Sequence, residues 1–197
     1  MTDTDTFRDV PNDDAFQARI SIVIASIAAM LLVNDLGADN ALWEATHENT
    51  VAINSYAFYQ AKTVRQNDLN LTADTLEAIA RTALPLGNSE TRRDILELAA
   101  KHRAKARSYE SEPSSGEGKK ELLEQAKTAE LLRNKAIEQD PYFDLASMLF
   151  QLAIILFSVV LITRRKTLIL AASGAAVSGL LLSLNAFTLL LHIPGIG

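Results

Sequence analysis

No cysteine occurs among the 197 residues. Disulfides, thiolate metal sites and cysteine nucleophiles are thereby excluded. Histidine is scarce, and His47, His102 and His192 stand in separate segments. Glu44 and His47 have the Glu-x-x-His spacing of di-iron bundles, but that chemistry needs a second such pair and further glutamates. Three residues before His102 stands Ala99, so no metal centre is expected. No G-x-S-x-G, phosphate loop or dinucleotide fingerprint appears. The chain is therefore read as having no catalytic residue and no cofactor. An excess of basic residues is missing too: residues 37–143 carry 14 Lys/Arg against 17 Asp/Glu. That balance argues against nucleic acid as a partner. The one basic cluster, Lys101, His102, Arg103, Lys105 and Arg107, alternates with alanine and is flanked by acids. It reads as a solvated helix face.

What the sequence does hold is apolar length. Residues 145–163 and 168–191 contain no charge, and only Arg164, Arg165 and Lys166 interrupt them. About 20 apolar residues cross a bilayer core as a helix. Both runs meet that length, and the short cationic connection makes them a transmembrane hairpin. A third run, residues 20–33, is shorter. Three readings fit that length: a span, an interfacial helix and a signal-peptide core. Its leading segment holds Asp3, Asp5, Asp9, Asp13 and Asp14 against Arg8 and Arg19, the wrong sign for a signal peptide. A helix over 16–36 is long enough to cross if Arg19 snorkels to the headgroups, and this reading is preferred. No charge lies inside the three runs, which argues against proton relays, voltage sensing and ion-coupled pumping.

Arg164, Arg165 and Lys166 also set topology, because short cationic loops stay cytoplasmic. The N-terminus is then cytoplasmic and residues 37–143 lie outside. The cations in the long middle region do not reverse this, since long loops translocate largely regardless of charge. The inverted topology is the alternative.

The fold class expected is all-α: one N-terminal span, a C-terminal hairpin of two spans, and a helical, coiled-coil-like soluble region between them. In detail, residues 1–15 read as an acidic disordered tail, 16–36 as the first span, 37–143 as the soluble region, 144–163 as the second span and 167–191 as the third. Within the soluble region, Asp39 and Asn40 are placed to cap a helix over 41–84. Its stripe is Leu42, Ala45, Ala52, Tyr56, Tyr59, Ala73, Ala80 and Leu84. Pro85 and Gly87 stop it. A second helix over 89–109 carries Ile95, Ala99, His102, Ala106 and Tyr109 on one face. After a loop over 110–118 comes a third, 119–139, with Leu122, Ala126, Ala129, Leu132 and Ala136 on a seam. Two such helices around one loop predict an antiparallel hairpin. Asp140 and Pro141 are placed as N-cap and first-turn proline of the next span.

The run from Ser55 to Gln66, SYAFYQAKTVRQ, and the run from Gln151 to Lys166, QLAIILFSVVLITRRK, resemble the signature of a bacterial membrane family known as domain of unknown function 4337. The resemblance extends over nearly the whole chain. It implies the same architecture, in a bacterial membrane, and it implies no activity. Taken with the orientation read from the cations, the expected place is the bacterial inner membrane, with residues 37–143 periplasmic.

Small residues recur every fourth position in two spans: Ser21, Ala25 and Ala29 in the first, and Ala171, Ala175, Gly179 and Ser183 in the last. Such ridges let helix backbones approach closely in lipid. They serve either packing of the three spans on each other or docking of a partner's helix. Gln151 and Asn185 are the amides of the C-terminal spans and lie at matching depth, so a bond between them is expected. The expected partners are the lipid bilayer and either a second copy of the chain or another membrane protein. Two functions fit: a non-enzymatic scaffold, accessory subunit or oligomer working through helix–helix contacts, and a small-solute or lipid-handling protein with a helical gate.

Overall fold

The computed structural model describes residues 11–82 and 89–193. Four helices make up the described residues: α1 (Pro11–Thr82), α2 (Ser89–Ser108), α3 (Lys119–Thr163) and α4 (Lys166–Thr188). The all-α class holds. Three of the helices, α1, α3 and α4, are long and apolar enough to cross a membrane. The first ten residues of the expected tail, the stop at Leu84, Pro85 and Gly87, and the last four residues lie outside the described residues. Of the tail, residues 11–15 are helical.

The expected break at Asp39 and Asn40 is absent, because α1 runs through both. A capping side chain ends a helix only if the backbone before it leaves helical geometry, and nothing here forces that. Among the described residues of α1, every buried one falls on two interleaved seven-residue series. Ile20, Ile27, Asn34, Ala41 and Ser55 form one; Ala52, Ala73 and Ala80 form the other. This is the seam spacing of coiled-coil packing, and it holds the helix together past the polar pair. The same correction applies at Pro141, which lies inside α3. A proline within a helix removes one hydrogen bond, to the carbonyl four residues earlier. That carbonyl belongs to Ile137, whose residue is largely exposed, so water can serve it. Tyr142 and Phe143, fully buried just beyond, anchor the helix across the lost bond. In α3, too, burial recurs by sevens, at Leu122, Ala129, Ala136, Phe143, Phe150 and Phe157.

Chain packing divides into two compact units, one of the residues up to Ala45 with those from Lys135 on, the other Thr46–Asn134. In the first unit, Ile20, Ile27, Ala146, Phe150, Ala153, Phe157, Val160 and Ala172 form one core cluster. Ala41, Tyr142, Phe143 and Ala186 form another. Two glycines admit aromatic rings. A Cβ on Gly37 would stand 2.6 Å from the Phe187 ring and 2.7 Å from that of Phe143, and one on Gly179 would stand 3.2 Å from Phe150. Phe143 and Phe187 meet edge to face at 4.9 Å. Helix α4 stops at Thr188, short of the expected 191, because Leu189 turns left-handed at φ 47°. The chain beyond is clasped: Asn185 Nδ2 donates to Leu191 O at 2.8 Å, Leu191 N donates to Asn185 Oδ1 at 2.9 Å, and Ile193 N donates to Tyr142 Oη at 2.9 Å.

In the second unit, alanine dominates the interior. The expected faces Ile95–Tyr109 on α2 and Leu122–Ala136 on α3 turn inward, except that Leu132 is exposed and Arg133 takes its place. On α1, Leu42 is exposed as well. The expected α2–α3 hairpin is not formed. Lys119 N donates to Tyr109 O at 2.9 Å and Lys120 N to Glu110 O at 3.1 Å. The unsatisfied amides that begin α3 thus meet the unsatisfied carbonyls that end α2, and the two helices stack end to end. Both run antiparallel to α1. Arg103 pairs with Glu77, Gln66 with Ala106 O and Lys119, Tyr56 with Glu130, and Asn49 with Arg133. The loop is therefore a detour of six residues. With those six taken out, Lys119 follows Tyr109 by one helical hydrogen-bond step, and the sevenfold series of Ala99 and Ala106 runs on through Lys119 and Ala126.

Deletion of residues 112–117 is expected to leave one unbroken helix from Ser89 onward, folded and with undiminished helical circular dichroism; loss of the cooperative thermal transition would refute the end-to-end stack. Gly37→Ala normally strengthens a helix by about 0.5–1 kcal/mol. Here the methyl collides with two rings, and a loss of about 1–3 kcal/mol is expected in thermal unfolding.

Candidate functional site

The sequence-derived candidates scatter. Ser21, Ala25 and Ala29 are exposed, as is Ala171, whereas Ala175 is half-buried and Gly179 and Ser183 are buried. Only the second half of the α4 ridge is thus used for packing within the chain. Gln151 is exposed and Asn185 is committed to Leu191 on both its amide atoms. The expected Gln151–Asn185 bond is not made, because the left-handed turn at Leu189 brings backbone within reach of Asn185 first. Arg164, Arg165 and Lys166 are exposed at the α3–α4 turn, where Arg164 has φ 54°. Among the described residues no group of three His, Asp or Glu is placed to hold a metal ion.

Sequence reasoning missed Asn34. It occupies a seam position of α1 with no exposure. Its Nδ2 donates to Phe143 O at 2.9 Å and to Ser147 Oγ at 2.8 Å, and Ser147 Oγ donates to Asp35 Oδ1 at 2.6 Å. The Asn34 Oδ1 atom has no partner. An isolated buried asparagine on a helix seam fixes register at some cost in stability. The signal was legible as a polar residue in the series Ile20, Ile27, Ala41.

A groove of ≈ 980 Å³ lies in the second unit. One wall is α1, through Glu48, Val51, Phe58, Ala61, Lys62 and Arg65; the other is α3, through Glu121, Leu122, Gln125 and Ala129, among others. Ser115, Gly116 and Glu117 of the detour loop overhang it. Leu122 and Ala129 are seam positions of α3, and the other wall residues lie on or beside the seams, so the groove follows from the same sevenfold spacing. Phe58 is 62 % exposed here, a large ring without cover.

The loop is tied down by polar contacts. Ser111 Oγ donates to Glu121 Oε1 at 2.5 Å and Glu112 N donates to Glu121 Oε2 at 3.2 Å. The Ser111 bond, foremost, holds the Glu121 carboxyl below its ordinary range. Lys62 lies 3.8 Å from both Glu112 and Glu117, and 5.7 Å above the Tyr109 ring. Gly118 has no room for a side chain, since a Cβ would run into the Glu121 carboxylate and the Glu112 amide nitrogen. At the helix junction, Gln66 Nε2 donates to Ala106 O at 3.0 Å, and Lys119 Nζ donates to Gln66 Oε1 at 2.8 Å while standing 5.4 Å over the Tyr59 ring. The Gln66 bond, foremost, and the Lys119 charge hold the Glu110 carboxyl below its ordinary range. Further along, Arg103 holds Glu77 ionised through a 2.9 Å bond.

The motif from Ser55 to Gln66 thus supplies the Phe58–Arg65 part of the α1 wall and its supports. Ser55 is buried, and Tyr56, Tyr59, Lys62 and Gln66 each reach a partner across the unit. The family model described as Domain of unknown function (DUF4337) matches residues 16–189. The chain belongs to that family. No curated protein and no solved structure matches it. The match covers the α2–α3 and α3–α4 junctions, the groove and the Asn34 cluster. The other half of the groove, on α3 and the loop, carries no such motif and became visible only with the fold.

Because Phe143 O and Ser147 Oγ both have other partners, Asn34→Leu orphans nothing and removes an unpaired oxygen. Its melting temperature is expected to equal or exceed that of the parent chain. Asn34→Asp buries a charge and is expected to lose roughly 2 kcal/mol or more; thermal unfolding of the pair checks both.

Proposed function

We propose that the chain is a multi-pass protein of the bacterial inner membrane that acts without catalysis, as a scaffold, accessory subunit or oligomer, through contacts between helices. The observation that carries the membrane part is uncovered apolar surface. In the apolar windows of α1, α3 and α4, no more than 28 % of residues are buried within the chain. Ile22, Ile162, Leu170 and Leu181 are exposed by 66 %, 85 %, 75 % and 63 %. A soluble protein rarely leaves so continuous an apolar surface bare, whereas lipid covers it. In lipid, the N-terminus is cytoplasmic, the Arg164–Lys166 turn faces the cytoplasm, and residues 37–143 are periplasmic.

Support for the helix–helix part comes from the second unit. Its interior is mostly alanine, polar side chains tie its helices and loop together, and an open groove lies between two of its helices. That surface is suited to another helix.

Two measurements test the proposal. Single cysteines placed by Ser114→Cys and Thr167→Cys in the cysteine-free chain are expected to react with an impermeant maleimide from opposite sides, Ser114→Cys from the periplasm. Labelling of Thr167→Cys from outside would invert the topology. Native mass spectrometry in mild detergent is expected to show a defined oligomer or a stoichiometric protein partner. A monomer holding a specific small molecule would favour solute or lipid handling instead.

A further inference from the structure

We infer that two copies of the chain pair side by side through the groove of the second unit, about a two-fold axis parallel to the helices, so that α1 of each packs on α3 of the other. This pairing rests on the helix–helix reading above and names its partner. Because the axis runs along α1, both copies keep α1 pointing the same way and enter one bilayer from the same side. The groove side of the second unit carries a sevenfold pattern of its own, apart from the buried seams. On α1 it consists of Val51, Phe58 and Arg65. On α3 it begins at Gln125, and Leu132, seven residues on, shares that side of the helix. Phe58 is 62 % exposed and Leu132 39 %, so the pattern has side chains but no cover.

Contacts across the unit fix the level of each residue along the helices. Asn49 meets Arg133, Tyr56 meets Glu130 and Gln66 meets Lys119. Val51 is therefore level with Leu132, Phe58 with residues 125–128, and Arg65 with Glu121. Rotation about an axis parallel to the helices leaves these levels unchanged. Val51 of each copy then faces Leu132 of the other, and the Phe58 ring is set against Gln125 and Thr128. Arg65 comes to the loop end of the partner's groove, which holds Glu117, Glu121 and Glu124. Charge favours this placement. The cation already at that end, Lys62, is drawn toward Glu112 and Glu117, with its side chain only 13 % exposed. Arg65 is exposed and forms no ion pair among the described residues. Each α1 gains two antiparallel neighbours, its own α3 and its partner's, as in a four-helix bundle. The two α1 helices then stand on a diagonal, which keeps Arg65 away from Arg65. Every contact occurs twice, as an isologous interface requires.

The test is cross-linking of the full chain in mild detergent, read beside native mass spectrometry and sedimentation velocity. The parent chain is expected to be dimeric. A tagged Val51→Cys chain co-expressed with an untagged Leu132→Cys chain is expected to give a mixed covalent dimer on oxidation. Ile53, 59 % exposed, points to the other side of α1, since two residues turn a helix by about 200°. Ile53→Cys with Leu132→Cys is expected to cross-link at least about tenfold less. Arg65→Glu is expected to raise the dimer dissociation constant by about tenfold or more, with unchanged helical circular dichroism, which separates loss of pairing from loss of folding. A dimer in which Val51→Cys cross-links to Leu132→Cys no better than Ile53→Cys does overturns this groove as the interface and leaves the helix–helix reading intact. So does a dimer indifferent to Arg65→Glu. A monomeric parent chain overturns the self-pairing. If that monomer carries a different protein, the broader reading stands; if it carries a small ligand, that reading falls as well.

Discussion

Close approach of helix backbones is the constraint from which the architecture follows. On α1, seam positions at multiples of seven are filled by Ala41, Ala52, Ala73 and Ala80, and on α3 by Ala129 and Ala136. An alanine methyl buries little apolar area, about 0.8 kcal/mol worth, so these seams contribute less by hydrophobicity than a leucine seam. Their contribution is geometric: with so little side chain between them, neighbouring helices can approach closely. Polar side chains then reach across with ease. Gln66, Tyr56 and Asn49 bond directly to groups on the facing helices. Where a large ring must enter a seam, a glycine makes room for it, as Gly37 does for Phe143 and Phe187 and Gly179 for Phe150.

The junction of α2 and α3 shows how strong the seam is relative to local chain breaks. Pro113 and Gly116 lie in the detour, with Gly118 just after it, and interrupt any continuous helix there. Even so, the seam resumes in phase beyond it, and the last carbonyls of α2 accept from the first amides of α3. The detour is not loose ornament. Lys62 and Glu121 fasten it over the groove, and two carboxylates, Glu121 on the loop and Glu110 at the helix junction, are held below their ordinary range by their hydrogen-bond donors. Their contribution to stability is present above the ordinary carboxylate range near 4.5 and is lost as pH falls through their lowered values.

At the other extreme stands Asp140, whose carboxyl is pushed up by burial and by Asp144 beside it. Burial favours its neutral form, so its contribution to stability is present at low pH and lost as pH rises through the raised value. Together with Pro141 it forms a locally unfavourable pair inside α3. Expecting a helix start there is sound local reasoning, since an aspartate followed by proline is a good first turn. The flanking burial of Ala136 and of Tyr142 and Phe143 outweighs it, because ending the helix would surrender those contacts.

Length, apolar runs and cationic turn determined the number of apolar helices and most of their extents from sequence alone, since hydropathy over about 20 residues depends on composition and not on neighbours. The inward faces of α2 and α3 were legible for the same reason: a period near 3.5 is local. Caps and breaks were misread at Asp39–Asn40 and Asp140–Pro141, because whether a cap acts depends on what the helix packs against. The pairing partners were out of reach for a like reason. Gln151 and Asn185 stand at equal depth in sequence, yet the turn at Leu189 decides the matter in space. That α2 continues into α3 rather than folding back on it, and that Phe58 comes to line a groove with Leu122, required the tertiary structure. A periodicity fixes which side of a helix is buried, but not which helix buries it.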